Sequence, residues 1–351
     1  MSAESGSFEA VVSSVFGAYY DMLVLPDCLE TRRGRLRGRL RLAGRKNEES
    51  WDHIPERHLI LVGDRVHCVQ ENDESLIESR RERKNVLFRS SRFEQQGLGA
   101  NIDRAVVVMS FAYPDVSQGF IDRFLASCHA GGVEPVILFT KSDLTDDELR
   151  EGCLELYRGL GYSAFAVNLL DPKGEDWESI CSLLSNGISL FSGRSGTGKS
   201  TLLNRLLGNE NMATGAVSES TKKGRHTTTN STMVRDPKTG ALYIDTPGVK
   251  EWGVMNLDRK DIFESFPEIR AAATLCKFRD CLHETGAEGC AVAEKLEKPG
   301  EFHPGRILSL KSMLDSLETG ERIRKGDYIK ATGRMRQGSK YALKNRPPEH
   351  R

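Results

Sequence analysis

At 351 residues, with 38% apolar and 28% charged side chains, the chain has the size of two or three folded domains and too many core formers to be disordered or fibrous. No stretch approaches the roughly 20 apolar residues of a membrane-spanning helix, and residues 1–30 hold five acids and no Lys or Arg. These features argue against membrane insertion and against a basic signal or Arg-rich transit peptide, so a cytoplasmic protein is expected. Lys plus Arg and Asp plus Glu both number 50, but the neutral total hides its distribution. Residues 31–46 hold eight basic residues and no acid, residues 321–351 ten basic and three acidic, and residues 47–320 carry a net charge of −10.

The N-terminal stretch reads as strands over Phe8–Phe16, Tyr19–Leu25, Gly34–Leu42 and Leu59–Val69, with a polar loop at about 43–58 between the last two. Short strands separated by turn signals suggest a small barrel or sandwich. Within the third, Arg33, Arg35, Arg37, Arg39 and Arg41 alternate with Gly34, Leu36, Gly38, Leu40 and Leu42, which puts the five arginines on one face. A solvated edge strand would look similar. Five planar guanidinium groups with no acid among them favour a polyanionic partner.

From residue 102 apolar strands alternate with helical patterns. Strands are expected at Ala105–Phe111, Val136–Phe139, Ala164–Val167, Ile188–Phe191 and Leu242–Ile244, and helices at about 117–130, 146–160 and 174–185. Buried strands spaced by crossover helices predict a mostly parallel sheet covered on both faces, ending near residue 255. Beyond it lie helical stretches, a cysteine cluster and a helix near 305–319. From about 322 the chain is polar and basic, and a flexible tail is expected. Cys28, Cys68, Cys128, Cys153 and Cys181 are scattered among apolar neighbours and read as reduced, buried thiols.

Three motifs carry chemistry. Gly193-Arg194-Ser195-Gly196-Thr197-Gly198-Lys199-Ser200 matches a phosphate-binding loop, with a strand before it and a helix containing Thr201 and the periodic Leu202, Leu203, Leu206 and Leu207 after it. Its amides would converge on phosphates, Lys199 would reach the β- and γ-phosphates, and Ser200 would bind Mg²⁺. Asp245-Thr-Pro-Gly248, downstream, supplies a carboxylate for Mg²⁺ through water and a Gly248 amide for the γ-phosphate. The loop alone leaves ATP and GTP open. Thr140-Lys141-Ser142-Asp143 points to GTP, because a carboxylate accepts from the ring N–H and exocyclic amine of guanine and adenine offers no such pair. A similar run, Arg324–Asp327, lacks a preceding apolar strand and is set aside. The guanine motif precedes the phosphate loop, the reverse of ordinary GTPases, as a circular permutation would produce.

Cys276, Cys281, His283 and Cys290 offer three thiolates and an imidazole within 15 residues, a donor set suited to one structural, tetrahedral Zn²⁺. Lys277 and Arg279 between the first ligands suit an RNA-facing loop.

In order along the chain, T-K-S-D, G-R-S-G-T-G-K-S-T-L-L-N, G-R-H-T-T-T, D-T-P-G and C-K-F-R-D-C-L-H-E-T-G-A-E-G-C resemble the circularly permuted, ribosome small-subunit-dependent GTPase A family (RsgA/YjeQ), over roughly residues 8–320. The resemblance implies a multidomain fold: an N-terminal OB-fold β-barrel (1–95), a central circularly permuted α/β P-loop GTPase (96–255), a C-terminal α-helical zinc-binding domain (256–320) and a basic tail (321–351). It implies GTP hydrolysis to GDP stimulated by the small ribosomal subunit, late maturation of that subunit, rRNA binding, one structural Zn²⁺ and Mg²⁺ with GTP. A monomer without membrane association is expected. Thr140 stands where relatives often carry Asn, Asn168 where Ser is usual in the base loop, and the loop 43–58 is long.

Many GTPases orient the attacking water with a Gln directly after the D-x-x-G motif; here that residue is Val249. His226, in Gly224–Thr229, is the local candidate for that catalytic role, with loop ordering or rRNA contact as the alternative. Among Thr227, Thr228 and Thr229, Thr228 is favoured as the Mg²⁺ and γ-phosphate sensor. Two rival readings are an RNA-binding assembly factor in which nucleotide is structural, and an ATPase.

Overall fold

The structure, a computed structural model, describes residues 6–38, 59–71, 74–90, 95–208 and 231–327. Strand β1 (Ser7–Phe16) is buried on both faces: Ala10 and Val12 enter one core and Val11 another. β1 therefore serves two domains. With β2 (Tyr19–Val24), β3 (Thr31–Leu36), β4 (Arg65–Glu71) and β5 (Glu74–Arg80) it closes a five-stranded barrel in the order β1-β2-β3-β5-β4-β1. Only β3 and β5 run parallel. Met22, Leu36, Ile60, Val66, Cys68 and Ile77 fill the barrel beside Ala10 and Val12. A hairpin, β6 (Val86–Ser90) and β7 (Gln95–Ala100), follows outside the barrel.

The central sheet contains β8 (Arg104–Ser110), β9 (Glu134–Thr140), β10 (Ser163–Val167), β11 (Ile188–Gly193), β12 (Thr232–Arg235) and β13 (Leu242–Asp245). Their order is β10-β9-β8-β11-β13-β12, parallel except for β12. On β8, Val106 and Val108 face a core shared with Phe191, Leu202 and Tyr243, while Ala105, Val107 and Met109 face a second core shared with Phe124 and Trp252. Alternating faces, both covered, explain the continuous apolar run. Helices α1 (Gln118–Gly131), α2 (Asp147–Gly159), α3 (Glu175–Leu183) and α4 (Lys199–Leu207) link the strands. β12 also pairs antiparallel with β1 at Ser14 and Thr232, so barrel and central sheet form one continuous sheet.

The C-terminal part consists of α5 (Arg259–Glu264), α6 (Pro267–Ala273), α7 (Ala291–Glu297) and α8 (Pro304–Asp327). Its seam with the central domain is a buried charge cluster. Arg306 on α8 is 2% exposed, reaches Asp122 of α1 at 2.6 Å and makes a two-pronged contact with Glu268 of α6 at 2.7 and 3.0 Å. Tyr157 donates to Asp122 at 3.1 Å, and the guanidinium lies 4.2 Å over the Phe266 ring. Burial pulls against the Arg306 charge, but the hydrogen bonds to Glu268 and the Asp122 charge outweigh it and raise the Arg306 pKa.

The expected helices and parallel strands match to within a few residues. Differences have local causes. The strand expected at Leu59–Val69 begins only at Arg65, because the Asp64 carboxylate accepts from the Leu61 amide at 2.8 Å and from Arg83, forming a turn. β3 ends at Leu36, and Arg39, Arg41 and the loop 43–58 lie outside the described residues. β6–β7 spans the expected 95/96 domain boundary. The last helix runs to Asp327, into the stretch expected to be flexible.

Candidate nucleotide site and metal centre

Strands β8, β9, β11 and β13 end on one edge of the parallel sheet, the edge on which such sheets bind ligands. Between β11 and α4 lies the loop Gly193–Gly198. Its glycines are required: a side chain at Gly193 would collide with the Val108 carbonyl, and Gly198 holds a φ of +87°. Thr197 tightens the loop, its hydroxyl donating to the Arg194 carbonyl at 2.9 Å. Ser195, Gly196 and Ser200 face solvent, and Thr201 is half-buried.

The predicted guanine motif adjoins this loop, although 50 residues separate Asp143 from Gly193. Thr140 is fully buried at the end of β9, and its hydroxyl donates to the Thr197 carbonyl at 2.6 Å, with the Met109 carbonyl 3.1 Å away. A hydroxyl is thus enough for the link to the phosphate loop. Lys141 takes a φ of +56°, and Ser142 and Asp143 follow in a single 3-10 turn (Ser142–Leu144) that leaves Asp143 exposed. The base loop after β10 is self-supporting: the Asn168 side-chain oxygen accepts from the Leu170 amide at 2.9 Å. Arg205 of α4 donates to the Leu169 and Leu170 carbonyls at 3.0 and 3.1 Å. Arg205 and Leu169 escaped the sequence reading, since no local pattern joins a helix residue to a loop 36 positions earlier.

At the end of β13 the Asp245 carboxylate pairs with the Lys199 ammonium, both largely buried. Gly248 packs against Ser195, and the Val249 amide donates to the Gly193 carbonyl at 3.1 Å. The Val249 side chain is 4% exposed, built into the core rather than turned toward the loop's open side. Trp252, a few residues on, is buried against Phe120 and Phe124 of α1 and donates to the Ser127 hydroxyl at 2.8 Å. His226, Thr227, Thr228 and Thr229 lie outside the described residues.

The four expected metal ligands converge: their donor atoms all lie within 4.8 Å of one another. The Cys276 and Cys290 sulfurs are 3.9 Å apart, and His283 Nδ1 lies 3.7 and 3.4 Å from them. Zinc–sulfur bonds of about 2.3 Å in a tetrahedron space sulfurs by roughly 3.8 Å, so the set fits one zinc ion. The backbone amide of His283 helps draw the Cys281 thiol below its usual range, while burial pushes Cys290 up to about 11. Bound metal would ionise both. Arg259 fastens the loop by donating to the Leu282 and His283 carbonyls at 3.1 and 3.3 Å.

The arginine strand shows the expected two faces, Arg33 and Arg35 exposed and Gly34 and Leu36 buried. Its charges are partnered across strands: Arg33 with Asp21 at 2.7 Å, Arg35 with Glu74 at 2.6 Å, and Arg37 with Glu71 at 2.9 Å and with Glu78. The acid-free window is therefore not an acid-free face.

Residues 80–255 match the family model described as RsgA GTPase. The chain is 37% identical over 294 residues to the small ribosomal subunit biogenesis GTPase RsgA of Bacteroides fragilis, covering 82% of this chain and 90% of that protein. The Haemophilus influenzae protein of the same name is 35% identical over 267 residues, covering 74% and 75%. The crystal structure of YjeQ from Thermotoga maritima superposes with a TM-score of 0.67 at 26% identity, over 89% of this chain and 99% of that one. YloQ, described as a circularly permuted GTPase, superposes with a TM-score of 0.59 at 26% identity, over 90% and 96%.

Proposed function

Because the chain belongs to the RsgA GTPase family and is a GTP hydrolase, we propose that it matures the small ribosomal subunit, docking on rRNA with GTP bound and leaving after hydrolysis. The observation that supports this reading is the hydrogen bond from the Thr140 hydroxyl to the Thr197 carbonyl, which joins the turn we read as guanine-binding to the loop we read as phosphate-binding, in permuted chain order.

In this reading Asp143 accepts from the guanine ring N–H and amine, and Thr140, Lys141 and Ser142 hold it in place. The amides of Gly193, Arg194, Ser195, Gly196, Thr197 and Gly198 receive the phosphates, with Thr201 in the first turn of α4 below them. Lys199 would exchange its Asp245 partner for the β- and γ-phosphates, and the freed Asp245 carboxylate together with the Ser200 hydroxyl would hold a divalent cation. When bound, Mg²⁺ supplies neutralisation of the developing phosphate charge. The Gly248 amide meets the γ-phosphate, Thr228 senses it and His226 orients the water. Val249 cannot orient water from the core, so the isolated protein turns over slowly and the subunit supplies the missing order. Zinc held by Cys276, Cys281, His283 and Cys290 would be structural, since four protein ligands would leave no open position. Residues 1–95 form the RNA-binding OB-fold domain in this reading, with the last barrel strand ending at Arg80, and the protein works as a cytoplasmic monomer.

Turnover measured with and without small ribosomal subunits, with ATP as competitor, tests the reading. Stimulated, ATP-insensitive GTP hydrolysis is expected. Absence of stimulation at saturating GTP would instead support an assembly factor whose nucleotide is structural, and His226→Ala with full stimulated turnover would remove His226 from catalysis.

A further inference from the structure

Three residues after β8, Ala112-Tyr113-Pro114, form a strap that touches both halves of the nucleotide site. Phe111 donates its amide to the Thr140 carbonyl at 3.1 Å, and the Ser110 hydroxyl donates to the Pro114 carbonyl at 2.7 Å, fixing both ends. Lys141 of the guanine motif donates to the Ala112 and Tyr113 carbonyls at 2.9 and 2.5 Å. On the other side, the strap packs on Gly196 of the phosphate loop: a Cβ there would lie 3.6 Å from Pro114 Cδ and 3.7 Å from the Tyr113 carbonyl oxygen. In a nucleoside phosphate the part between the phosphates and the base is the sugar. The strap thus stands beside the sugar's place. Tyr113 is 83% exposed and holds a φ of +47°, a conformation uncommon for a bulky residue. A large amphipathic ring left in water at the rim of a ligand site gains from covering a ligand.

We infer that Tyr113 is a nucleotide-contacting residue whose ring lies against the sugar and adjoining base of bound GDP and GTP and slows their release. This rests on the guanine-site reading above. The contact is through the ring face, so the phenolic hydroxyl is dispensable. It depends on the nucleoside and not on the phosphates.

The test measures GDP and GTP affinity and GDP dissociation for the full chain and for Tyr113→Ala, Tyr113→Phe and Asp143→Asn, with inorganic pyrophosphate as a probe of the phosphate loop. Tyr113→Ala should weaken both nucleotides by about tenfold, mainly through faster dissociation, as expected for losing one stacking partner. Tyr113→Phe should stay within about twofold, since it keeps the ring face. Pyrophosphate binding should not change. Unchanged nucleotide affinity in Tyr113→Ala overturns the inference, including the case in which only stimulation by small subunits falls, which would assign the ring to RNA. Equal weakening of pyrophosphate also overturns it, because the strap and not the ring would then be responsible. Retained GDP binding in Asp143→Asn would refute the guanine-site reading itself, a result separable from any outcome at Tyr113.

Discussion

The candidate nucleotide site and the candidate metal centre are held together in opposite ways. The first collects groups from four separate segments, Tyr113 to Pro114, Thr140 to Asp143, Gly193 to Ser200 and Asp245 to Gly248, at the ends of strands whose cores bury Val106, Val108, Phe139, Leu190 and Phe191 almost completely. The second takes its ligands from 15 consecutive residues between short helices, with Leu275, Phe278 and Leu282 exposed around it. Core packing positions one, and a metal cross-link would position the other. Damage should therefore spread differently.

The largest effect is expected from metal removal. Structural zinc sites of this kind contribute about 10–16 kcal/mol to the order of their loops. Cys281→Ser should abolish stoichiometric zinc and the amide-exchange protection of residues 276–290, yet leave GDP affinity within a few-fold. A large loss of GDP affinity would show that the two regions are not independent. Next comes the seam. Arg306→Ala leaves Asp122 and Glu268 without their buried cation and should cost about 3–5 kcal/mol in denaturant unfolding. A cost below about 1 kcal/mol would mean that the seam relaxes and the regions fold separately. Lys199→Ala acts within the first region only. It should lower turnover by about 10²–10³-fold, the usual consequence of losing a preorganised charge at a reacting phosphate, with zinc content unchanged. The smallest effect belongs to the barrel. Arg35→Ala should reduce the salt dependence of RNA binding by about one counterion or less, because its Glu74 partner already neutralises much of that charge. Glu74→Gln should move RNA affinity in the opposite direction.

The same contrast explains what could be read from sequence. The candidate phosphate loop and the cysteine cluster are local, so spacing alone was enough to single them out. β8, covered on both faces, announced itself as an uninterrupted apolar run. β5 reads Glu-Ser-Leu-Ile-Glu-Ser-Arg and β7 reads Gln-Gln-Gly-Leu-Gly-Ala, neither with the alternation that marks a half-buried strand, and both went unrecognised. The acids facing the arginine strand come from β2, β4 and β5, whose pairing no window of sequence contains. The Tyr113 strap was invisible for the same reason: its meaning lies in the carbonyls offered to Lys141, 28 residues away.

The pairing of β1 with β12 through Ser14 and Thr232 has a practical consequence for dissecting the molecule. The barrel occupies the outer side of an edge strand, as a cover does. Cutting it away to obtain a minimal nucleotide-binding fragment would uncover the backbone donors and acceptors of β12, and a bare strand edge recruits other strands. Such a fragment should self-associate in solution, and a point substitution that keeps the cover in place is the sounder way to silence the barrel.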